Sequence, residues 1–318
     1  MGEPRQERAP GSLRESAGEF DITEGSIGSF IRFEHEHAEG PKVILAPGLG
    51  ETAERSFKEP ARALASRGHD VFAITHPTLG IEKKKLLIEK ERIKKDWLTS
   101  HGGKLPKKEA DSLFEKMPIS ELRKALTLIT FIEQKVAEGK QGESADVIAH
   151  SQGGAYALIA AFLRPDLFRR LILVNPAGQS GRESFVRMYL ALHANLIGLY
   201  MRGERKAMND ALYSFTRAWL FGYVKAIRQG FRLSRFDAYP YLKALGVIAP
   251  DLVRTTLYDT EDMVFRRKKI EDAARVARGG QTEESAFGKR EKTKGKGHYG
   301  PVTHPEEYAE MFHKLLTT

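Results

Sequence analysis

The 318-residue chain contains no cysteine. That excludes disulfides, thiolate nucleophiles and thiolate metal sites, and it suits a reducing, cytoplasmic setting. Long uninterrupted apolar runs are also missing. The longest candidate, Phe185 to Met201, is broken by Arg187 and His193 and reads as an amphipathic helix rather than a membrane span. Met1 to Gly18 has no apolar core of the kind a secretory signal needs, so residues 1–18 are expected to form a disordered tail. No phosphate-binding G-x-x-x-x-G-K-[ST] loop and no H-E-x-x-H pair occur. Gly48 and Gly50 lack the third glycine of a dinucleotide fingerprint. Neither a metal nor a cofactor is indicated.

Acidic residues are few in three places. The net charge is +9, and it is concentrated: segments 82–108 and 182–237 each hold ten basic residues against four acids, and 289–296 holds five against one. The rest of the chain is net acidic. Such a balance permits nucleic-acid binding, but no recognition motif accompanies it and none is expected.

What is present is an alternation of strand and helix signals. Strand patterns occur at Ser26–Phe33, Lys42–Ala46, Asp70–Thr75, Ala145–Ala149, Leu171–Val174 and Leu252–Leu257. Helical periods cover Ala53–Arg67, stopped by Gly68, and also Ile119–Ala137, Tyr156–Leu163 and Pro305–Leu316. Strands alternating with helices predict a mainly parallel sheet with helices on both faces, in one domain over 19–318. Residues 80–118 and 178–245 interrupt the rhythm. Each follows a strand, and so each is expected at the carboxyl edge of the sheet, where ligands bind.

The most specific stretch is Val147-Ile148-Ala149-His150-Ser151-Gln152-Gly153-Gly154. A buried strand runs into one serine with small residues on each side, Ala149 and Gly153, and a helix follows. A serine at so sharp a turn needs small neighbours, and the turn holds its hydroxyl clear of the sheet at a helix N-terminus. A serine needs a base in reach and a group that orients the base. His150, next to Ser151, should point away from it and act in packing or positioning.

These residues resemble the α/β-hydrolase superfamily, in its serine esterase, lipase and thioesterase branch, over roughly residues 25 to 318. Ala149 stands where the family most often has glycine. The resemblance implies the α/β-hydrolase fold with a helical cap over 178–245, to which Phe215, Trp219 and Phe221 would contribute. It implies Ser151 as nucleophile and His298, in Gly297-His298-Tyr299-Gly300, as base. Family spacing places the orienting acid at Asp262. Asp259, where glycine is usual, and Glu261 remain competitors. Gln152, after the nucleophile, and Leu49, in Pro47-Gly48-Leu49-Gly50, would supply the oxyanion-hole N–H groups.

The expected activity is hydrolysis of small-molecule carboxylic esters through an acyl-enzyme, nearest to monoacylglycerol lipases and lysophospholipases. Thioesterase, C–C hydrolase or perhydrolase chemistry, and a non-catalytic receptor on the same fold, stay open. Dehalogenases and epoxide hydrolases need aspartate where Ser151 stands. All three basic segments are expected on the catalytic edge, one in each insertion and one on the loop leading to His298, so that anionic esters, an anionic lipid surface or an acidic carrier protein are the partners to expect.

Overall fold

The computed structural model describes residues 12–22, 26–38, 40–49, 51–76, 83–101, 103–136, 143–180, 184–205, 208–209, 212–213, 216, 223–277, 288–293 and 297–318. Eight strands form one sheet: β1 (Leu13–Ile22), β2 (Ser26–His35), β3 (Val43–Ala46), β4 (Val71–Thr75), β5 (Ala145–His150), β6 (Phe168–Val174), β7 (Val253–Asp259) and β8 (Lys289–Thr293). Their order is β1-β2-β4-β3-β5-β6-β7-β8. β2 runs antiparallel to both β1 and β4, and every other pairing is parallel. β3, β4 and β5 are buried at every position, as parallel strands covered on both faces must be.

The pleat divides the core. Val43, Leu45, Ile148 and Ile172 pack with helices α1 (Lys58–Ala65) and α11 (Pro305–Thr317). Ile44, Ala46, Val147, Ala149 and Leu171 belong to the opposite layer. That layer contains α2 (Lys83–His101), α3 (Lys107–Lys116), α4 (Ile119–Phe131), α5 (Gln152–Leu163), α8 (Tyr239–Ile248) and α9 (Arg267–Ala277). Every residue of α5 is buried, the mark of a helix enclosed on all sides. Three further helices lie at the catalytic edge: α6 (Phe185–Met201), α7 (Tyr223–Leu233) and the short α10 (Gly300–Thr303). No helix among the described residues is long and apolar enough to cross a membrane.

Four expectations need correcting. The tail expected over 1–18 gives way at Leu13 to β1, which pairs with β2 from Leu13↔His35 to Ile22↔Ser26. Its polar character is that of an edge strand: Phe20 reaches the core while Glu15 pairs with Lys58 and Arg62 on α1. Lys289–Thr293, read as part of a basic loop, is the opposite edge strand, where charge deters edge-to-edge pairing. Lys294 and Lys296 lie outside the described residues.

The insertion at 80–118 forms α2 and α3, but α2 does not line the catalytic edge along its length. Trp97 Nε1 donates to the Phe162 carbonyl at 2.9 Å, at the end of α5 far from Ser151. Several of its charges are met locally: Arg92 by Glu89 and Asp96, and Lys94 by Asp111. The stretch read as cap over 178–245 also runs too far. α8 starts at Tyr239 and packs on the body, with the Tyr241 hydroxyl donating to the Leu113 carbonyl at 2.8 Å and its ring against Phe162. It is the crossover helix between β6 and β7. Phe215, Trp219 and Phe221 lie outside the described residues.

Candidate active site

Ser151 stands between β5 and α5 with φ 53° and ψ −119°. Such a conformation costs a non-glycine residue about 1–3 kcal/mol and persists only where the surroundings over-determine it. Here they do. Ser151 N–H donates to the Val174 carbonyl at 2.9 Å, and the Ser151 carbonyl accepts from the N–H groups of Gly154 and Ala177, each at 3.0 Å. The small residues after the serine have specific reasons. A Cβ on Gly153 would stand 2.3 Å from the Ala46 carbonyl oxygen, and one on Gly154 would stand 2.6 Å from Pro176 Cβ. Thus the first turn of α5 can approach the ends of β3 and β6 only without side chains there.

The residues expected to act together converge from three loops. His298 Nε2 lies 2.9 Å from Ser151 Oγ, and His298 Nδ1 lies 2.9 Å from Asp262 Oδ2. Asp262 and His298 are both buried. The other oxygen of Asp262 accepts the N–H groups of Val264 at 2.7 Å and Phe265 at 3.0 Å, which fixes the carboxylate plane. An acceptor facing Nδ1 puts the proton there, leaving Nε2 free to accept from the serine hydroxyl. Of the competing acids, Asp259 instead accepts from Thr293 Oγ1 at 2.9 Å and from the Glu261 N–H at 2.8 Å, while Glu261 is exposed.

A model of the alpha/beta hydrolase family matches residues 43–311. The chain belongs to that family. Solved structures similar to this hydrolase include a thermophilic esterase at 15% identity and a TM-score of 0.57, covering 96% of this chain and 98% of its own. A membrane phospholipase A described as a bacterial virulence factor aligns at 16% identity and a TM-score of 0.55, covering 95% and 86%. A thioesterase domain from the curacin biosynthetic pathway aligns at 17% identity and a TM-score of 0.53, covering 96% and 100%. At these identities the likeness concerns the fold. A search of curated proteins gave no significant match.

The two residues expected at the oxyanion hole lie on either side of Ser151. Gln152 opens α5, where first-turn N–H groups have no intrahelical partner. Leu49 lies in the loop after β3, beside Gly48, where a Cβ would come within 3.0 Å of Ser151 Cβ. That loop is anchored from α5, because the Tyr156 hydroxyl donates to the Pro47 carbonyl at 2.9 Å.

A second histidine ties the loops together. His150 Nδ1 lies 3.1 Å from the Glu51 carboxylate, and Nε2 lies 2.9 Å from the His298 carbonyl. Both ring nitrogens face oxygens, an arrangement that an imidazolium beside a carboxylate satisfies with two donated hydrogen bonds. Glu51 also accepts the Gly48 N–H. Burial opposes the charge on both partners, yet their attraction outweighs it: the Glu51 carboxyl is held below the usual range and the His150 imidazole above it. The buried pair therefore joins the loop bearing Leu49 to the loop bearing His298. The sequence reading gave His150 a positioning role but overlooked Glu51. Its signal would have been a carboxylate directly after the Pro47–Gly50 loop.

Two more side-chain networks brace the site. Asn175, with φ 43°, accepts the Asp259 N–H at 2.8 Å through its side-chain oxygen, while its amide nitrogen points at the carbonyls of Gly297 and His298. The Gln152 side chain is held at both ends, donating to Glu121 Oε1 at 2.8 Å and accepting from Lys124 Nζ at 2.6 Å. Burial pulls the Lys124 amine down to about 8 and pushes the Glu121 carboxyl up. This clamp fixes the first residue of α5, directly after Ser151. Among the described residues no group of His, Asp and Glu has the arrangement of a metal site.

Proposed function

We propose that this α/β hydrolase is a serine hydrolase that cleaves carboxylic esters through an acyl-enzyme. The observation that carries the reading is the unbroken hydrogen-bonded chain from Ser151 through His298 to Asp262, with the serine held in strained backbone geometry. In this mechanism Ser151 Oγ attacks the acyl carbonyl as its proton passes to His298 Nε2. Asp262 keeps the Nδ1 proton in place and stabilises the imidazolium. The carbonyl oxygen, now an anion, is met by the N–H groups of Leu49 and Gln152. His298 returns the proton to the leaving alcohol, and water, activated by the same histidine, then releases the acid.

Small-molecule esters and monoacylglycerol- or lysophospholipid-like esters are the substrates this reading favours, because the cap turns Met188 and Ala191 inward and Leu199 sits near Tyr299. The same triad serves thioesters, so acyl thioesters belong in the same panel. A receptor without activity would not need the proton path from Asp262 to Ser151.

The test is labelling by a fluorophosphonate probe together with hydrolysis of p-nitrophenyl esters. Ser151→Ala is expected to abolish both and leave the thermal melt nearly unchanged. Retention of most ester hydrolysis by that variant refutes the proposal.

A further inference from the structure

Helix α6 has two unlike faces. Met188, Ala191 and Leu199 are buried. Asn195 Oδ1 lies 3.4 Å from where a Cβ on Gly297 would stand, and Leu199 clusters with Leu196 and Tyr299. This inward face covers the segment that carries His298. The outward face is also apolar: Val186, Leu190, Ile197, Tyr200 and Met201 are 60 to 77% exposed. At 3.6 residues per turn these five fall on one stripe about 100° wide. Apolar side chains scattered singly over a surface need no account, whereas five aligned on one helix, interrupted only by the half-buried His193, do.

Helix α7 extends the patch. Its Gly230 lets the Phe185 ring approach, since a Cβ there would stand 2.6 Å from the ring. The exposed Phe231 ring lies 6.4 Å from that of Phe185, and the Arg235 guanidinium sits 4.0 Å above Phe231. Arg228, Arg232 and Arg235 are exposed. Neither α6 nor α7 contains a single acidic residue.

We propose that this face of the cap docks on an anionic lipid bilayer. The stripe on α6 enters the headgroup boundary, and Arg228 and Arg232 of α7, with Arg235 in the turn after it, meet lipid anions. Docking places the helix that covers the His298 segment against the lipid, so that an ester in the bilayer has a short path to Ser151. This last consequence rests on the hydrolase reading, whereas the docking itself does not. A second copy of the chain fits the face less well. A two-fold contact would set these arginines against their own copies, with no acid on either helix to offset them, while lipid headgroups carry the complementary sign.

The experiment uses full-length Ser151→Ala protein, so that no lipid is consumed, in sedimentation with vesicles of phosphatidylcholine alone or mixed with phosphatidylglycerol. Binding to the mixed vesicles, and much weaker binding to phosphatidylcholine alone, is expected. The added pair Leu190→Asn and Ile197→Asn should weaken binding about 100-fold, roughly tenfold for each apolar side chain withdrawn from the interface. Replacing Arg228, Arg232 and Arg235 by glutamine should cost about fivefold each and remove the preference for phosphatidylglycerol. With Ser151 restored, both sets should keep the unmodified melt and hydrolyse p-nitrophenyl acetate in lipid-free buffer at the unmodified rate, which shows that the fold and site are intact. Failure to bind mixed vesicles, or equal binding by the Leu190/Ile197 variant, overturns the proposal. So does a dimer in sedimentation velocity that this variant dissociates, because the face would then belong to a second copy. If the unmodified protein hydrolyses no ester but still sediments with vesicles, the hydrolase reading fails and the docking stands.

Discussion

Exchange of Asp262 for asparagine separates the two carboxylates that compete in the sequence. In the structure Asp262 Oδ1 accepts two backbone N–H groups and Oδ2 faces His298 Nδ1 at 2.9 Å. An asparagine keeps its oxygen on the two N–H groups, which only an acceptor can satisfy, and so turns its amide nitrogen toward the imidazole. Nδ1 must then accept, the proton moves to Nε2, and the ring can no longer take the serine proton. A wrong tautomer of this kind costs a factor on the order of 10⁴ in kcat, about 5.4 kcal/mol of transition-state stabilisation. Asp259→Asn poses an easier problem. Its partners include the Glu261 N–H and the Thr293 hydroxyl, and a hydroxyl can reverse from donor to acceptor. The expected loss there is under about tenfold in kcat, with a stability change of about 1 kcal/mol. The assay is kcat on p-nitrophenyl butyrate, normalised to sites titrated with a fluorophosphonate, alongside denaturant unfolding. A larger loss for Asp259→Asn than for Asp262→Asn would refute the assignment of the triad acid.

The Glu51–His150 pair gives a second test. Glu51→Leu leaves His150 buried without its counter-charge and should destabilise the fold by about 3–5 kcal/mol, with Glu51→Gln milder. Per titrated site, kcat should also fall as the loops of Leu49 and His298 lose their common anchor, and equal stability of Glu51→Leu and the unmodified protein in urea would dismiss the pair. A third test concerns pH. His69 Nε2 and His313 Nδ1 are 2.9 Å apart, and burial, followed by the charges of His313 and Arg169, lowers the His69 imidazole to about 4. The folded state favours neutral His69, so its contribution is complete above about 6.5, the unfolded value, and is lost as pH falls from there toward 4. His69→Gln should flatten the decline of the melting temperature across that window, and an unaltered slope would remove His69 as its cause.

Much of the fold was legible because its signals are local. The strand signal at Ala145–Ala149, the serine between small residues and the apolar helix after it report a buried strand–turn–helix unit, since each residue's environment follows from its chain neighbours. His298 and the Leu49 loop could be placed through the family resemblance, since one precedes a recognisable helix and the other follows a recognisable strand. β1 and β8 were not legible. Both are edge strands with little apolar surface to bury, so no period-2 pattern marks them, and only pairing with β2 and β7 makes them strands. The reach of the charged helix α2 along the body was likewise hidden, because it depends on Trp97 meeting the end of α5.

The sequence by itself determined which residue types stand at the elbow, because backbone strain and strand burial act through adjacent residues, while the expected order of serine, acid and histidine followed from the resemblance to the α/β-hydrolase family. The tertiary structure alone decided which acid faces His298, since Asp259 and Asp262 are only three residues apart and differ in the directions their carboxylates take from one loop. It also decided that Glu51, 99 residues from His150, is its counter-charge. Two groups so far apart in the chain can pair only where the sheet brings the ends of β3 and β5 side by side and excludes water from both.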